Sequence, residues 1–567
     1  MQKASLKKLI SIIAIINIAY FLLAYIVTLG SNFPLISPDE TRYAEIAREM
    51  INTGNWVVPK LLGINYFEKP VMVYWMNVFS ELTFGYNAFA VRFSSAISVG
   101  ITALIIYLFI SKISTFKLIA ALSALIYLGF GFVYGVGTFA VLDSQLTMFI
   151  TASLVLFYAA WASKTKLRLN LLLAAFGVLV GCAFMAKGFL AFAVVVATIA
   201  PFLIWQGQWK RIFTLCWVPL IFAIAISLPW SLEVYYKAPD FWRYFFWVEN
   251  YGRFFDANAA GMSAQYHPEP FWFFIPVLLV GMLPWTIHIP SAVRGYFKKK
   301  AFKEPVFRYL ACWIIFQTLF FTSSSGKLAT YFLPIFPALA ILLAYGLYHS
   351  LEVDKKQFIF DITNKLFAFI ILIAGIGFAI FCILSHYYKK LPGLYNHSYY
   401  APLFIIIVII VIFLILYASW KSKSGTIKIL LFGLSYLIIF VVRPEITPDA
   451  ALINGNVQGQ FIESVAKDIT PETSIVVYPN MMHAVAWYLK RSNLYLWQNP
   501  GELEYFVNYY HDQNRFIPNN TDLKAFIEKH KNSGGVVLFA RGDYTGQLPV
   551  KPSYQKYKDK LFFAKFD

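Results

Sequence analysis

Long apolar runs constrain the fold of this 567-residue chain more than any other feature of its sequence. Each run is about as long as an α-helix that crosses the ~30 Å hydrocarbon core of a bilayer. The runs cover residues 9–29, 88–110, 116–134, 144–163, 169–186, 189–206, 211–229, 271–291, 309–323, 328–349, 366–386, 401–420 and 426–443. Backbone polar groups in lipid must be satisfied within the protein, so these runs predict a polytopic α-helical membrane protein with about 13 transmembrane helices.

Composition agrees with a membrane protein and argues against a soluble one. Hydrophobic residues make up 59% of the chain and charged residues 14%, with a mean hydropathy of +0.61, whereas a soluble domain has about 25% charged residues. The formal net charge is +19. Nucleic-acid binding is one interpretation of that charge, but basic loops and anionic lipid head groups account for it better.

The distribution of lysine and arginine predicts the orientation of the helices. The basic N-terminus and the strongly basic short loops, such as 294–308 and 421–428, fall on one side if every apolar run spans the membrane. The positive-inside rule makes this side cytoplasmic. The segments 30–87 and 230–270, and the chain after residue 443, then lie on the extracytoplasmic side, together with almost all the unusual polar residues.

A change in composition predicts a domain boundary near residue 443. Residues 1–443 form the predicted membrane domain, and residues 444–567 contain no run long enough to span. In this last part, SIVVY (474–478) and GVVLF (535–539) predict strands. Helices are predicted over 460–468, over 481–489 and from a cap at Thr521 to about Lys531. We therefore expect a small extracytoplasmic α/β domain with a core of its own.

The segment between the first two apolar runs contains a charged helix signal. Ser37, Pro38 and Glu40 predict a helix start with a serine N-cap, a proline in the first turn and a capping box. The helix that follows is amphipathic and predicts a location at the membrane surface. Since Ser37 already supplies a cap, Asp39 is favoured as a functional acid. For Glu40, a role in the capping box and a role in the chemistry remain alternatives.

Three further ionisable residues lie at or near the ends of apolar runs, where an unpaired charge is costly. Lys69, in YFEKP, is either a lysine that extends its amine to the interface or a ligand for an anion. Asp143 is either a structural residue that forms a turn or caps the next helix, or a residue with a role in the chemistry. Lys187, in FMAKGFL, has apolar neighbours on both sides and is expected to need an anionic partner.

Other candidate residues lie in an aromatic loop and in a short polar loop. The segment FWRYFFWVENYGRFFD (241–256) predicts an interfacial belt, or a lid that grips lipid, and either Arg243 or Arg253 could bind phosphate. Lys327 lies in the short loop SSSGKLATY, which joins two spans on the same side of the membrane as the aromatic loop.

Cysteine and histidine give no metal signal. The four cysteines fall in apolar runs and indicate small core residues. The histidines show no ligand spacing, with His267 and His483 the two to watch, and a divalent metal is left open. Together, the candidate carboxylates and cations predict anion handling at one membrane boundary. Since no cytoplasmic nucleotide site is visible, we expect a lipid-linked donor.

Four stretches of the sequence are more specific than these single residues. SPDETRYAEIAREM, YFEKPVMVYW, MAKGFLA and SSSGKLATYFLPIFPALA are spread over residues 37–337. With these stretches the chain resembles the 4-amino-4-deoxy-L-arabinose lipid A transferase family. That family is part of the GT-C class of glycosyltransferases, which includes the protein O-mannosyltransferases.

The resemblance implies transfer of an aminosugar from undecaprenyl phosphate to a lipid A phosphate at the periplasmic face of the inner membrane. By carry-over, Asp39 is the key acid, with Arg42 beside it, and Asp143 and Lys187 are further site positions. The residues implied to hold the carrier phosphate are Lys69, Arg253 and Tyr331. A single displacement at the anomeric carbon, with cations stabilising the leaving phosphate, is the expected mechanism.

Alternatives remain open from the sequence. No residue specifies which sugar is transferred, so galactosamine or another polyprenyl-linked sugar is an alternative to aminoarabinose. A protein O-mannosyltransferase would use a hydroxyl acceptor and a general base, for which Asp39 would serve. A polyprenyl-lipid flippase is disfavoured, because transporters place polar residues through the membrane and at both faces.

Overall fold

A computed structural model describes residues 3–30, 33–113, 117–252, 269–299, 303–353, 355–387, 401–447, 457–509 and 512–567. Within these ranges the chain forms a large helical bundle followed by a mixed α/β unit. The first helices are α1 (Lys3–Phe21), α2 (Asp39–Thr53), α3 (Met72–Phe84), α4 (Ala88–Ile113), α5 (Lys117–Leu128), α6 (Gly131–Gly137), α7 (Asp143–Trp161) and α8 (Lys166–Lys187). The short strands β1 (Lys60–Leu61) and β2 (Ile64–Asn65) form a hairpin between α2 and α3.

The remaining helices of the bundle follow in chain order. They are α9 (Leu190–Trp205), α10 (Arg211–Leu215), α11 (Trp217–Lys237), α12 (Phe241–Arg243), α13 (Phe274–Gly281), α14 (Ile289–Lys299), α15 (Pro305–Ser323), α16 (Phe336–Tyr348), α17 (Phe358–Tyr387), α18 (Ala401–Lys421) and α19 (Gly425–Ile446). A π-helix over Tyr244–Gly252 continues α12. The predicted aromatic loop is therefore mostly helical up to Gly252, and its later part lies outside the described residues.

The predicted polytopic helical fold is confirmed, with 10 to 12 candidate spans in the described residues against about 13 predicted. Ten helices in the described ranges are long and apolar enough to cross a bilayer, and two bent helix pairs raise that number to as many as 12. One shorter apolar helix, α9, accounts for the run over 189–206. Every predicted apolar run thus corresponds to a helix, a bent pair or this shorter helix.

Two of the predicted runs, 116–134 and 271–291, form bent helix pairs. The pair α5 and α6 bends by 63°, and α13 with the segment Trp285–Tyr296 bends by 92°. The breaks lie against each other, because the Gly131 N–H donates to the Leu283 carbonyl at 2.8 Å. A Cβ at Gly129, in the first break, would meet Trp285 Nε1 at 2.8 Å. Backbone groups freed by one break are thus satisfied by the other, as membrane depth requires.

The C-terminal unit contains a six-stranded sheet. Its strands are β3 (Ser474–Val477), β4 (Leu494–Trp497), β5 (Phe516–Ile517), β6 (Val536–Arg541), β7 (Tyr554–Lys558) and β8 (Leu561–Phe566), in the order β5-β4-β3-β6-β8-β7. The first four strands of that order are parallel, and β8 and β7 are antiparallel to their neighbours. Its helices are α20 (Gly459–Val465), α21 (Met482–Leu489), α22 (Glu504–Tyr509) and α23 (Asn520–His530). The two predicted strands and the predicted helices are confirmed, but the cap of α23 is Asn519 rather than Thr521, since the Asn519 side chain accepts the Asp522 N–H.

The two faces of this sheet belong to different cores. Val476 and Leu538 pack with α23 residues on one face. Ile475 and Val477, which alternate with Val476 along β3, pack in a cluster that also contains Ile46 of α2 and many residues of the 58–78 segment. The C-terminal sheet therefore shares a core with the first loop instead of relying only on its own.

The structure of α2 corrects two expectations. No side chain caps its N-terminus, so the predicted Ser37 cap and capping box are wrong. Its polar face is not solvated either, because Glu45, Arg48 and Glu49 are buried. The Arg48 guanidinium pairs with Glu45 and also donates to the Lys490 carbonyl of the C-terminal unit at 3.3 Å. The amphipathic helix is covered by a part of the chain more than 400 residues away.

The four cysteines are all free in the structure. Cys312 and Cys382 are buried, as expected for small core residues, and Cys182 is half-buried. Cys216 is exposed on the surface of the bundle, which corrects the prediction for that residue.

Close helix packing generates a testable prediction at Gly177. A Cβ there would lie 2.4 Å from the Pro219 carbonyl oxygen of α11, whereas a Cβ at Gly377 of α17 would meet no described atom within 4 Å. Gly177→Ala should destabilise the protein by about 1–3 kcal/mol, since a packed backbone cannot yield. Thermal unfolding in detergent measures this effect. Gly377→Ala is the matched control, and an equal midpoint for the two variants would contradict the close α8–α11 packing.

Candidate active site at the membrane boundary

A cavity of about 360 Å³ lies where the α8–α9 turn meets the first loop. Its polar lining includes Glu68, Lys69, Lys187, Glu249 and Tyr331. Its apolar lining includes Phe189, Phe245, Phe246, Phe320 and Phe321. A pocket that is mostly apolar with a few converging polar groups is typical of a ligand site. Here the apolar part suits a lipid chain and the charged part suits a polar head group.

Lys69 lies in this cavity with two neighbouring carboxylates. Its ammonium forms an ion pair with Glu249 of the π-helix and donates to the Glu68 carbonyl at 3.0 Å. Lys69 and Glu249 are both buried. Lys69 therefore does not extend its amine into water but keeps it in the cavity.

Lys187, Asp143 and Tyr331 form a second charged group in the same cavity. The Lys187 ammonium pairs with Asp143 at 2.5 Å and lies 4.3 Å from the centre of the Tyr331 ring. Asp143 begins α7 and Lys187 ends α8, so two antiparallel neighbours bring the two charges to the same depth. The sequence predicted each of these residues separately, and the structure brings all three together.

Asp39 and Arg42 belong to a third group, which involves the C-terminal unit. Arg42 pairs with Asp39 at 3.3 Å and with Glu502 at 2.8 Å, and Glu502 in turn lies 2.7 Å from His483. Asp39 keeps 45% of its side-chain surface exposed, whereas Glu502 keeps 6%. Asp39 is therefore the accessible carboxylate of this group and Glu502 the structural one.

Tyr43 and Glu68 connect the three groups. The buried Tyr43 hydroxyl is within electrostatic reach of Arg42, Asp39, Asp143 and Glu68, and burial together with the carboxylates raises its pKa. Burial also raises the pKa of Glu68, and the charges of Glu249 and Glu502 add to this rise. A raised pKa favours the protonated form of Glu68, which reduces the negative charge that an incoming anion would meet.

Other predicted residues lie elsewhere. Glu40 is fully buried, with both oxygens held by Arg92 at 2.7 Å and further hydrogen bonds from the Ile36 and Ala140 amides. These contacts are those of a structural ion pair that fixes α2 on α4, and they occupy both carboxylate oxygens of Glu40. The buried Lys327 donates to the Glu269 carbonyl at 2.9 Å and follows Gly326, which lines the cavity.

Two candidates cannot be placed, and others were missed. Arg253 and His267 lie outside the described residues, and Arg243 is exposed. Glu502 and Tyr43 were not predicted. Glu502 lies in none of the four specific stretches, and Tyr43 lies in SPDETRYAEIAREM but drew no attention beside its charged neighbours Asp39 and Arg42. The signal that could have found Glu249 is its carboxylate in the middle of a strongly aromatic segment. In the described part of the chain, no group of three His, Cys, Asp or Glu side chains could hold a metal ion.

The Arg42–Glu502 pair generates a prediction about pH. Burial raises the pKa of Glu502, but the charges of Arg42 and His483 outweigh it and lower the pKa from 4.5 to about 2. A lowered pKa stabilises the folded state above pH 4.5, and this stabilisation is lost as the pH falls towards 2. At about 1.4 kcal/mol per unit, about 3 kcal/mol is involved.

We therefore expect thermal midpoints of the wild type to fall between pH 4.5 and 2 by more than those of Glu502→Gln. Thermal unfolding of the purified protein across this pH range measures the difference. Glu504→Gln, at an exposed neighbouring carboxylate, is the control and should behave as the wild type. Parallel curves for all three proteins would contradict the assignment.

Comparison with known proteins agrees with this geometry. Residues 11–245 match the family described as dolichyl-phosphate-mannose-protein mannosyltransferase, and residues 453–563 match the family described as arabinosyl transferase ArnT, C-terminal domain. In structure, the chain is similar to ArnT from Cupriavidus metallidurans bound to undecaprenyl phosphate, with a TM-score of 0.81 and 19% identity over 98% of each chain. This similarity confirms the GT-C fold.

Curated relatives extend over the whole chain. An undecaprenyl phosphate-alpha-4-amino-4-deoxy-L-arabinose arabinosyl transferase of Shewanella sediminis is 35% identical over 98% of both chains. The protein of Proteus mirabilis named arabinosyl transferase 2 of the same kind is 35% identical over 92% of both chains. With its thirteen apolar runs, its boundary cavity and these full-length relatives, the chain belongs to the family of undecaprenyl phosphate-aminoarabinose arabinosyl transferases, a family of membrane glycosyltransferases.

Proposed function

We propose that this protein transfers 4-amino-4-deoxy-L-arabinose from undecaprenyl phosphate to a phosphate of lipid A. The observation that carries the proposal is the cavity in which Lys69 and Lys187 lie beside a wall of phenylalanine side chains. A polyprenyl phosphate combines an anion with a long apolar chain, and this cavity offers partners for both. The names of the full-length relatives support aminoarabinose as the sugar.

The lysines are proposed to bind and stabilise the leaving phosphate. Lys69 and Lys187 each have a carboxylate partner in the structure, so the phosphate has to share or replace these partners. An ammonium offers three N–H donors, which allows a carboxylate and a phosphate oxygen to be bound together. As the bond to the anomeric carbon breaks, negative charge grows on the phosphate, where fixed cations stabilise it most.

Tyr331 is proposed to hold Lys187 in position and to contribute its hydroxyl to the same phosphate. Its ring lies under the Lys187 ammonium, an arrangement that favours the charged amine. Arg253 and Lys327 are proposed as further cations for the head group. Arg253 follows the π-helix that forms one wall of the cavity, and Lys327 follows Gly326 of its lining.

Asp39 is proposed to act on the sugar or the acceptor. It is the exposed carboxylate of the group that adjoins Glu68 through Arg42. An aminosugar carries a cationic amine, which a carboxylate can orient. A lipid A phosphate is already an anion and needs positioning more than deprotonation. A single displacement inverts the anomeric centre and requires no covalent sugar–enzyme intermediate.

The location proposed for this reaction is the periplasmic face of the bacterial inner membrane. The basic short loops support a cytoplasmic location for the opposite ends of the spans. The C-terminal unit, residues 444–567, is proposed to be periplasmic, because it packs on the same first-loop segment that contributes Arg42 and Lys69. No nucleic-acid partner is proposed.

Lipid A from cells with and without this protein tests the function directly. A mass increase that fits a pentosamine, present only with the intact protein, is the expected result. An increase that fits a hexosamine would keep the reaction and change the sugar. Unmodified lipid A, despite expression and an available donor, would contradict the acceptor. A Ser/Thr peptide then tests the protein O-mannosyltransferase alternative, which the family match over residues 11–245 favours.

Removal of the lysine charge at position 69 should abolish transfer. Lys69→Ala also leaves Glu249 buried without this partner, which costs about 3–5 kcal/mol for a buried pair. Lys69→Met combined with Glu249→Gln removes both charges and keeps the volume, so it should fold and still be inactive. Transfer is measured with purified protein and lipid-linked donor. Lys237→Ala, at an exposed ion pair, is the control, and near-normal transfer by the double variant would refute the role of Lys69.

Substitution of Asp39 should lower the rate without unfolding the protein. Asp39→Asn keeps the size and a hydrogen bond to Arg42, and should reduce turnover about 100-fold or more, the range of a lost acid–base or orienting carboxylate. Asp559→Asn, at an exposed turn position of the C-terminal sheet, controls for the chemistry of the substitution. Turnover within twofold of the wild type would exclude Asp39 from the reaction.

A further inference from the structure

A second cavity, of about 220 Å³, lies between α8, α9 and α11 and is closed at one end by α10. Phe176, Val195, Ile199 and Leu215 are among its apolar lining residues. Of the described residues that line it, Arg211 alone carries a charge. The cavity therefore has an apolar body and one basic end.

This cavity is separate from the candidate active site. The helix α9 starts just after Lys187, which lines the site, and ends near Arg211, so about 24 Å of helix lies between the two ends. Val195 and Ile199 of α9 face the second cavity, whereas Leu190 and Ala193 face the site. The basic end of the second cavity thus lies towards the opposite boundary of the membrane.

The cavity opens laterally, towards the surrounding bilayer. On its closed side, α8 and α11 pack too tightly for any side chain at Gly181, where a Cβ would lie 2.1 Å from Ile226 Cγ2. On the open side, Val196 of α9 is 59% exposed and Leu220 of α11 is 42% exposed. An apolar chain can enter between these two side chains from the hydrocarbon core.

Arg211 is held in place without a carboxylate partner in the described residues. Its Nη1 donates to Gln208 Oε1 at 2.9 Å, and the same oxygen accepts the Trp161 indole N–H at 2.9 Å. A guanidinium has five N–H donors, so most of its hydrogen-bonding capacity is left for another acceptor. Lys210 and Arg308, the latter hydrogen-bonded to Gln206, add positive charge at this end.

We propose that this second cavity, a groove open to lipid, binds one acyl chain of an anionic phospholipid, whose phosphate pairs with Arg211. The occupant belongs to the leaflet opposite the candidate active site. Charge complementarity selects it: an arginine that has no ion pair among the described residues, with Lys210 and Arg308 nearby, favours an anionic head group over a zwitterionic one. The lipid fills a gap between three spans and stabilises their arrangement.

The proposal is tested with the purified full-length protein and two lipids that have the same acyl chains, phosphatidylglycerol and phosphatidylcholine. Native mass spectrometry measures how much of each lipid remains bound. The wild type should prefer phosphatidylglycerol about fivefold, the contribution of one basic side chain at a lipid surface. Arg211→Gln should abolish this preference, and Val196→Trp, which blocks the opening, should reduce binding of both lipids.

Arg294→Gln is the matched control, because Arg294 is an exposed arginine of α14. It should keep the wild-type preference. An equal loss of preference in the Arg294 and Arg211 variants would reduce the effect to general surface charge and overturn the proposal. Release of undecaprenyl phosphate, rather than phosphatidylglycerol, by Val196→Trp would assign the groove to the donor's chain and also overturn it.

The exposed Cys216 gives a second measurement that does not depend on a substitution. Cys216 lines the groove and is the exposed cysteine of the four. Phosphatidylglycerol should slow its alkylation by a thiol reagent about fivefold more than phosphatidylcholine does. Equal protection by the two lipids would contradict recognition of the anionic head group.

Discussion

A buried charge needs a partner, and this constraint organises the part of the molecule that contains the site. Isolated charges cost several kcal/mol each when they leave water. Here Lys69 pairs with Glu249, Lys187 with Asp143, and Arg42 with Glu502. The first and third of these pairs join elements that are distant in the sequence, so they fix the first loop to the bundle and to the C-terminal unit, while the Lys187–Asp143 pair joins the consecutive helices α7 and α8.

The groups proposed to act in the reaction also hold the structure together. A buried ion pair is weak evidence for stability, because its desolvation offsets its attraction. Such a pair is poised for an anionic ligand, however, since a phosphate can share the ammonium or guanidinium with its carboxylate partner. The raised pKa of the neighbouring Glu68 favours its neutral form, which reduces the negative charge that this ligand would meet. The pair between Glu40 and Arg92 lacks such freedom, because four donors already satisfy the carboxylate.

The sequence predicts features that depend on contact with lipid better than features that depend on contacts between distant parts of the chain. A span must be apolar along its whole length, so the apolar runs predicted the helices. Lys69, Asp143 and Lys187 were found because each is a charged residue at or near the end of such a run. The solvated polar face expected for α2 was wrong because Glu45 and Arg48 are covered by the C-terminal unit, a contact between distant parts of the chain that no local pattern reveals. Strand β7, YQKYK, was missed for a related reason: it is a mostly exposed edge strand with no apolar run. Glu502 shows the same limit, since only the fold brings it to Arg42.

The measurement that tests the account most directly is the binding of two lipids with the same chain, undecaprenyl phosphate and undecaprenol, to the purified wild-type protein. The account predicts that the phosphate lipid binds at least about tenfold more tightly, a difference of about 1.4 kcal/mol, since the lysines of the cavity recognise its charge. The preference should weaken as salt screens this interaction. Equal affinity for the two lipids would contradict the assignment of the cavity as the donor phosphate site.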